Sequence, residues 1–228
     1  MNKKVKRVNF IIGFCILIIC IFSIYFLKKI WGKLGLTIIF ISSSFLTLIL
    51  TFKYTMLSTI NVNANSITYI TMFTSLYLLL ETTSKEEVKK IANLNFLVTI
   101  FSAILLYMTS YYVQSLTDTI SINMKNIFIN NIIKLFVYPI TITISNYLLI
   151  GMYKKIRKLY DVPFITTVTT YLCIGLIESI LFFFLSFYRV LDIKTIIKLV
   201  LSSYMIRLII TIIYSIFLTI LTHKKVKK

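Results

Sequence analysis

Three ionisable side chains stand out within the long apolar runs of this 228-residue chain, away from their ends: Lys134, Glu178 and Arg207. A charge at membrane depth is costly, so such groups face a bundle interior or a cavity and commonly mark solute or proton paths. A buried carboxylate accepts hydrogen bonds from ring N–H groups, and a guanidinium donates to oxygens in a planar fork. Glu178 and Arg207 are therefore read as the centre of a ligand or proton site, with an ion pair that merely fixes two helices as the competing reading. Lys134 lies nearer the start of its run, where its stem could also carry the ammonium out to the membrane surface.

Helical spacing gathers polar neighbours around these three. Asn131, Lys134, Tyr138, Thr141 and Ser145 recur at three- and four-residue steps, as do Tyr171, Gly175, Glu178 and Phe182. Tyr204, Arg207, Thr211 and Tyr214 form a third stripe, and Thr71, Thr74, Tyr77 and Glu81 a fourth. Asn95, Thr99 and Ser102 make a weaker one. The plain alternative is packing. Ser and Thr serve as small residues at helix contacts in membranes, Tyr near a span end is an interfacial anchor, and Glu81 could simply end its helix.

The elements that must position these residues are membrane spans. The chain is 58% hydrophobic and only 14% charged, with a mean hydropathy of +0.91. That is too little charge to cover a water-facing surface, since soluble domains carry about 25% charged residues. A spanning helix needs roughly 20 apolar residues, and candidate runs fall at 10–27, 34–52, 66–81, 91–113, 127–150, 164–187 and 196–221. The runs are continuous rather than alternating, which excludes a barrel. The expected fold is all-α, a polytopic transmembrane bundle. Its six-helix core covers residues 34–222, after an added hydrophobic helix with a basic N-terminus (1–33) and before a basic tail (223–228).

Charge and motifs narrow the function. The net charge of +18 is spread over short loops and tails, the pattern of membrane topology rather than of nucleic-acid binding. Lys28, Lys29 and Lys33, Lys85, Lys89 and Lys90, the basic turn at 154–158 and the tail fall on one side under seven crossings. The positive-inside rule then places the C-terminus in the cytoplasm. Cys15, Cys20 and Cys173 lie inside apolar runs without metal-binding spacing, and the single His223 is in the basic tail. Neither a P-loop nor an HExxH or GxSxG motif is present. No metal, cofactor or enzymatic activity is expected.

Four segments carry a resemblance. They are TMFTSLYLLLETTSKEEVKKI at 71–91, NYLLIGMYKKIRKL at 146–159, TVTTYLCIGLIESILFFFLSFYRVL at 167–191 and SSYMIRLII at 202–210. In that order, over roughly residues 34–221, they resemble the queuosine precursor transporter family, also called the vitamin uptake transporter family. Tyr77, Glu81, Asn146, Thr170, Glu178, Tyr204 and Arg207 fall on the family's motif positions. Tyr77 and Leu149 stand where the family carries Asp, and Thr83-Ser84 replaces an aromatic-Gly pair. The resemblance implies transport of 7-deazapurine precursors of a tRNA nucleoside across the plasma (inner) membrane. It further implies Glu178 as acceptor for the ring N–H edge, with Arg207 beside it. Tyr77 or Tyr171 would stack on the ring and Asn146 would read another edge. Thr170, Glu81 and Lys134 complete the candidate set. Two other readings remain open: a substrate-binding subunit of an energy-coupling-factor system, which needs a partner ATPase, and a structural or assembly protein. A homodimer is compatible with all three.

Overall fold

The computed structural model describes residues 3–57, 60–112, 121–160 and 162–223. The predicted tail from Lys224 onward and most of the polar stretch between the fourth and fifth spans lie outside them. Among the described residues the chain forms seven helices and one two-stranded hairpin. Five of the helices are long and apolar enough to cross a membrane. The chain is a membrane protein of the all-α class, a helical bundle with this one small hairpin.

The first helix, α1 (Lys3–Leu50), is two arms rather than one rod. At Gly32 the backbone adopts φ 52° and ψ −121°, a conformation essentially closed to residues with a side chain. A Cβ placed on Gly35 would stand 2.1 Å from the Leu27 carbonyl oxygen. Eight residues of unbroken helix would separate those groups by about 12 Å, so the chain doubles back at Gly32. The predicted runs 10–27 and 34–52 are thus two adjacent helical arms. The first buries Leu17 and Ile24 and packs Cys20, Ile21 and Leu27 against the core. Its other faces, including Phe10, Phe14 and Phe22, are exposed for lipid.

A hairpin of β1 (Tyr54–Leu57) and β2 (Ile60–Asn63) leads into α2 (Ser66–Thr82). This 17-residue helix is the centre of the bundle, with all but a few of its side chains buried. It packs against α1, α3 (Lys85–Thr109), α5 (Ile132–Leu159) and α7 (Ile193–His223). A helix with no lipid face needs no apolar coat, which is why Thr68, Thr71, Thr74 and Ser75 are tolerated there. Their hydroxyls return to the helix itself, as in Thr71 to the Ile67 carbonyl (2.8 Å) and Thr74 to that of Ile70 (2.8 Å), satisfying the donors away from water.

The remaining boundaries follow local chemistry. The Ser84 side chain accepts from the Glu87 amide at the start of α3 (3.3 Å), an N-cap. The predicted span 127–150 is shifted: short α4 (Ser121–Phe128) takes its first two residues, and α5 starts after Asn131 and absorbs the basic turn up to Leu159. Pro163 opens α6 (Pro163–Phe187) at a position where a missing N–H costs nothing. Asp192 caps α7 by accepting from the Thr195 amide (3.0 Å), and Thr195 holds its carboxyl below the ordinary range.

Contacts between connections fix which ends lie together. Lys33, just past the reversal, pairs with Glu87 of α3, and Arg157 of α5 pairs with Glu81 of α2 at 3.8 Å. Phe52 meets Phe128 edge-on at 5.4 Å, and Lys134 stands over Phe187. The Gly32 reversal, the α2–α3 turn and the end of α5 therefore share one basic face. The hairpin, α4 and the α6–α7 connection occupy the opposite one.

Candidate functional site

α6 and α7 are packed neighbours joined by a short connection, so residues at similar distance from it meet at similar depth. Glu178 and Arg207 do so at mid-span. An Arg207 Nη1 donates to Glu178 Oε2 and also to Ser179 Oγ at 3.0 Å. The guanidinium carbon lies 3.8 Å from the centroid of the Tyr69 ring on α2, a close cation–π contact. Both charges are nearly sealed, at 2% and 3% exposure. Arg207 Nε remains buried without a hydrogen-bond partner.

From this pair an aromatic column descends along α2. Tyr69, Phe73, Tyr77 and Glu81 recur every four residues and share one helix face. Tyr69 packs edge-on to Phe73 (4.5 Å), and Tyr171 of α6 bridges Phe73 (6.0 Å) and Tyr77 (6.4 Å). Tyr77 meets Tyr153 of α5 edge-on at 5.3 Å. The column ends at the Glu81–Arg157 pair on the basic face. The hydroxyls of Tyr77 and Tyr171 are buried without a completed hydrogen bond, beside Thr167 and Thr74 respectively.

Asn146 stands on the face of α5 that also carries Tyr153, seven residues on, and it is wholly buried. Neither its amide oxygen nor its amide nitrogen has a partner. Its neighbour Ser145 stands beside the Tyr69 hydroxyl, which puts Asn146 at the level of the charged pair. A donor and an acceptor on one buried side chain, both unused, are unusual in a folded interior.

The predicted residues divide accordingly. Glu178, Arg207, Tyr171 and Tyr77 are linked in one chain of interior contacts through Tyr69 and Phe73, Asn146 is buried on the neighbouring α5, and Glu81 closes the basic end. Thr170 is buried, but its hydroxyl donates to the Thr166 carbonyl of its own helix (2.6 Å). Lys134 is elsewhere. Its ammonium donates to Asn131 Oδ1 at 2.6 Å and lies 4.5 Å from the Phe187 ring centroid. That ring begins nine residues, roughly 13 Å of helix, from Glu178. The stripe expected to run with Lys134 divides: Tyr138 donates to the Ser44 carbonyl of α1 (3.0 Å), where Asn95 also donates to Ser44 Oγ (3.1 Å), whereas Ser145 stands beside the Tyr69 hydroxyl.

Three site residues escape the sequence reading: Tyr69, Ser179 and Tyr153. The four-residue recurrence of aromatics at 69, 73 and 77 was the signal for the first. Ser179 and Tyr153 offered none beyond adjacency to Glu178 and to the basic turn. Against family models, curated proteins and solved structures alike, the chain has no match, so the chemistry of this site rests on its own residues.

Proposed function

We propose that this membrane protein transports a small planar solute rich in hydrogen-bonding edges, and that it is a divergent relative of the queuosine precursor transporters carrying a 7-deazapurine or similar purine-like compound. The observation that carries the reading is Asn146, whose buried donor and acceptor are both unpartnered. Leaving them so costs about 1–3 kcal/mol for each group, a penalty that a ligand edge presenting a complementary donor and acceptor removes. The surroundings suit such a ligand. Tyr171 and Tyr77 offer ring faces, and Glu178 can accept from adjacent N–H groups. Arg207 donates to that carboxylate from the neighbouring helix.

A second reading draws on one observation. Arg207 is held by Glu178, Ser179 and Tyr69 together, as a purely structural clamp would be. The two readings separate in cells that lack their own importer and are supplied with labelled deazapurine at low concentration. The transport reading expects uptake with the native chain, and at least a tenfold loss with Glu178→Gln and with Asn146→Ala at equal protein abundance. Absence of uptake by the native chain sinks the proposed substrate. Uptake unchanged by both variants leaves the clamp.

A further inference from the structure

A groove of about 490 Å³ runs along the outer face of α5, away from the aromatic column. Ile144, Tyr147, Leu148 and Met152 line it, Gly151 forms its floor and Lys155 stands at one end. A Cβ on Gly151 would meet no atom within 4 Å, so the missing side chain is what opens the space. Tyr147 is held beside it by donating to Asn93 of α3. The volume falls within the range of about 300–1,000 Å³ common to small-molecule sites.

Length and charge identify the occupant. From Ile144 to Lys155 the helix rises about 16 Å, half of a hydrocarbon core about 30 Å thick. The groove therefore spans one leaflet. Its apolar part lies at acyl-chain depth, and Lys155 sits in the basic turn with Lys154 and Lys158, where headgroups begin. The nearby Arg157 is engaged by Glu81 on the inner side of the helix. A second copy of this chain docking by the same face would oppose two copies of Lys155, a like-charge contact, since a two-fold interface pairs identical patches.

We propose that the groove seats one anionic phospholipid, with an acyl chain along Tyr147, Leu148 and Gly151 and the headgroup phosphate on Lys155. The site is independent of the transport proposal. It is tested on the full chain in mild detergent by native mass spectrometry, titrating phosphatidylglycerol against phosphatidylcholine. The native protein is expected to bind one phosphatidylglycerol roughly fivefold more tightly than phosphatidylcholine, the contribution of one basic side chain at a lipid surface. Lys155→Gln should abolish that preference. Gly151→Leu, whose Cβ meets no atom within 4 Å, puts a side chain into the groove and should weaken both lipids. Lys158→Gln should leave the preference within twofold. Equal binding of the two lipids by the native chain overturns the proposal, as does a preference that survives Lys155→Gln and Gly151→Leu. Equal loss with Lys158→Gln would assign the effect to diffuse surface charge, and a changed protomer number in Gly151→Leu would assign the groove to a second copy; either also overturns it.

Discussion

Glu178 and Arg207 meet at mid-depth with 2% and 4% of their side-chain surface exposed, whereas Lys33 and Glu87 meet at the basic face with 43–44% exposed. The chemistry of the two pairs is the same, and the solvent is not. At the face, water solvates either partner alone, and the contact adds little. In the interior each charge depends on the other, on Ser179 and on the Tyr69 ring. The comparison teaches that the interior pair is dangerous to break by halves, while the face pair is dispensable.

The largest expected effect follows directly. Arg207→Ala leaves the Glu178 carboxylate buried and uncompensated, at a cost of about 3–5 kcal/mol, read as a large fall in thermal midpoint in detergent. Replacing both partners together, Glu178→Leu with Arg207→Met, should recover most of that stability, because a well-packed apolar pair needs no desolvation. Uptake should stay absent in the double variant. A double variant as unstable as Arg207→Ala would show that packing around the pair, not its charge, is what matters.

The next effect weighs the glycines that bring the two arms of α1 together against the face pair that joins α1 to α3. Gly35→Ala sets a Cβ against the Leu27 backbone carbonyl, which cannot move aside as a side chain end would. Gly32→Ala forces a strained φ and ψ. Each is expected to cost about 1–3 kcal/mol, more than loss of the Lys33–Glu87 contact. Crosslinking between cysteines placed on the two arms would report whether they separate.

Asn146 sharpens the comparison from the other side, as buried polarity with no partner at all. Asn146→Leu removes two unsatisfied groups and should raise stability by about 1 kcal/mol or more, while lowering uptake. Lower stability instead would mean that the amide is engaged in the resting protein.

Much of this was legible in the residues. Apolar length marked the spans, because lipid demands it, and the cost of intramembrane charge singled out Glu178 and Arg207. The break at Gly32 showed through Lys28, Lys29 and Lys33. What stayed hidden depends on neighbours. The central place of α2 is written only in its Thr and Ser content, which packing helices also have. The strands Tyr54–Leu57 and Ile60–Asn63 fell between the expected runs 34–52 and 66–81 and were not foreseen, because four-residue strands leave too short an alternation to count. Lys134 had two physically sound destinations, and the choice was made by Asn131 and Phe187, one of them on another helix. Tyr69 entered the site because α7 lays Arg207 across it, a contact no spacing within α2 encodes.

The smallest effect belongs to the face. Lys33→Gln should change stability by no more than about 1 kcal/mol, and the difference from the native protein should shrink further as salt is raised to about 1 M, where screening acts over roughly 3 Å. The interior pair should be indifferent to the same salt, since ions do not reach it. If Lys33→Gln instead proved as damaging as Gly35→Ala, the Lys33–Glu87 contact would be a clasp that closes the basic ends of α1 and α3. Under the proposed transport function, such a clasp predicts uptake that rises when it is weakened by Lys33→Gln and falls when it is replaced by a disulfide between Lys33→Cys and Glu87→Cys.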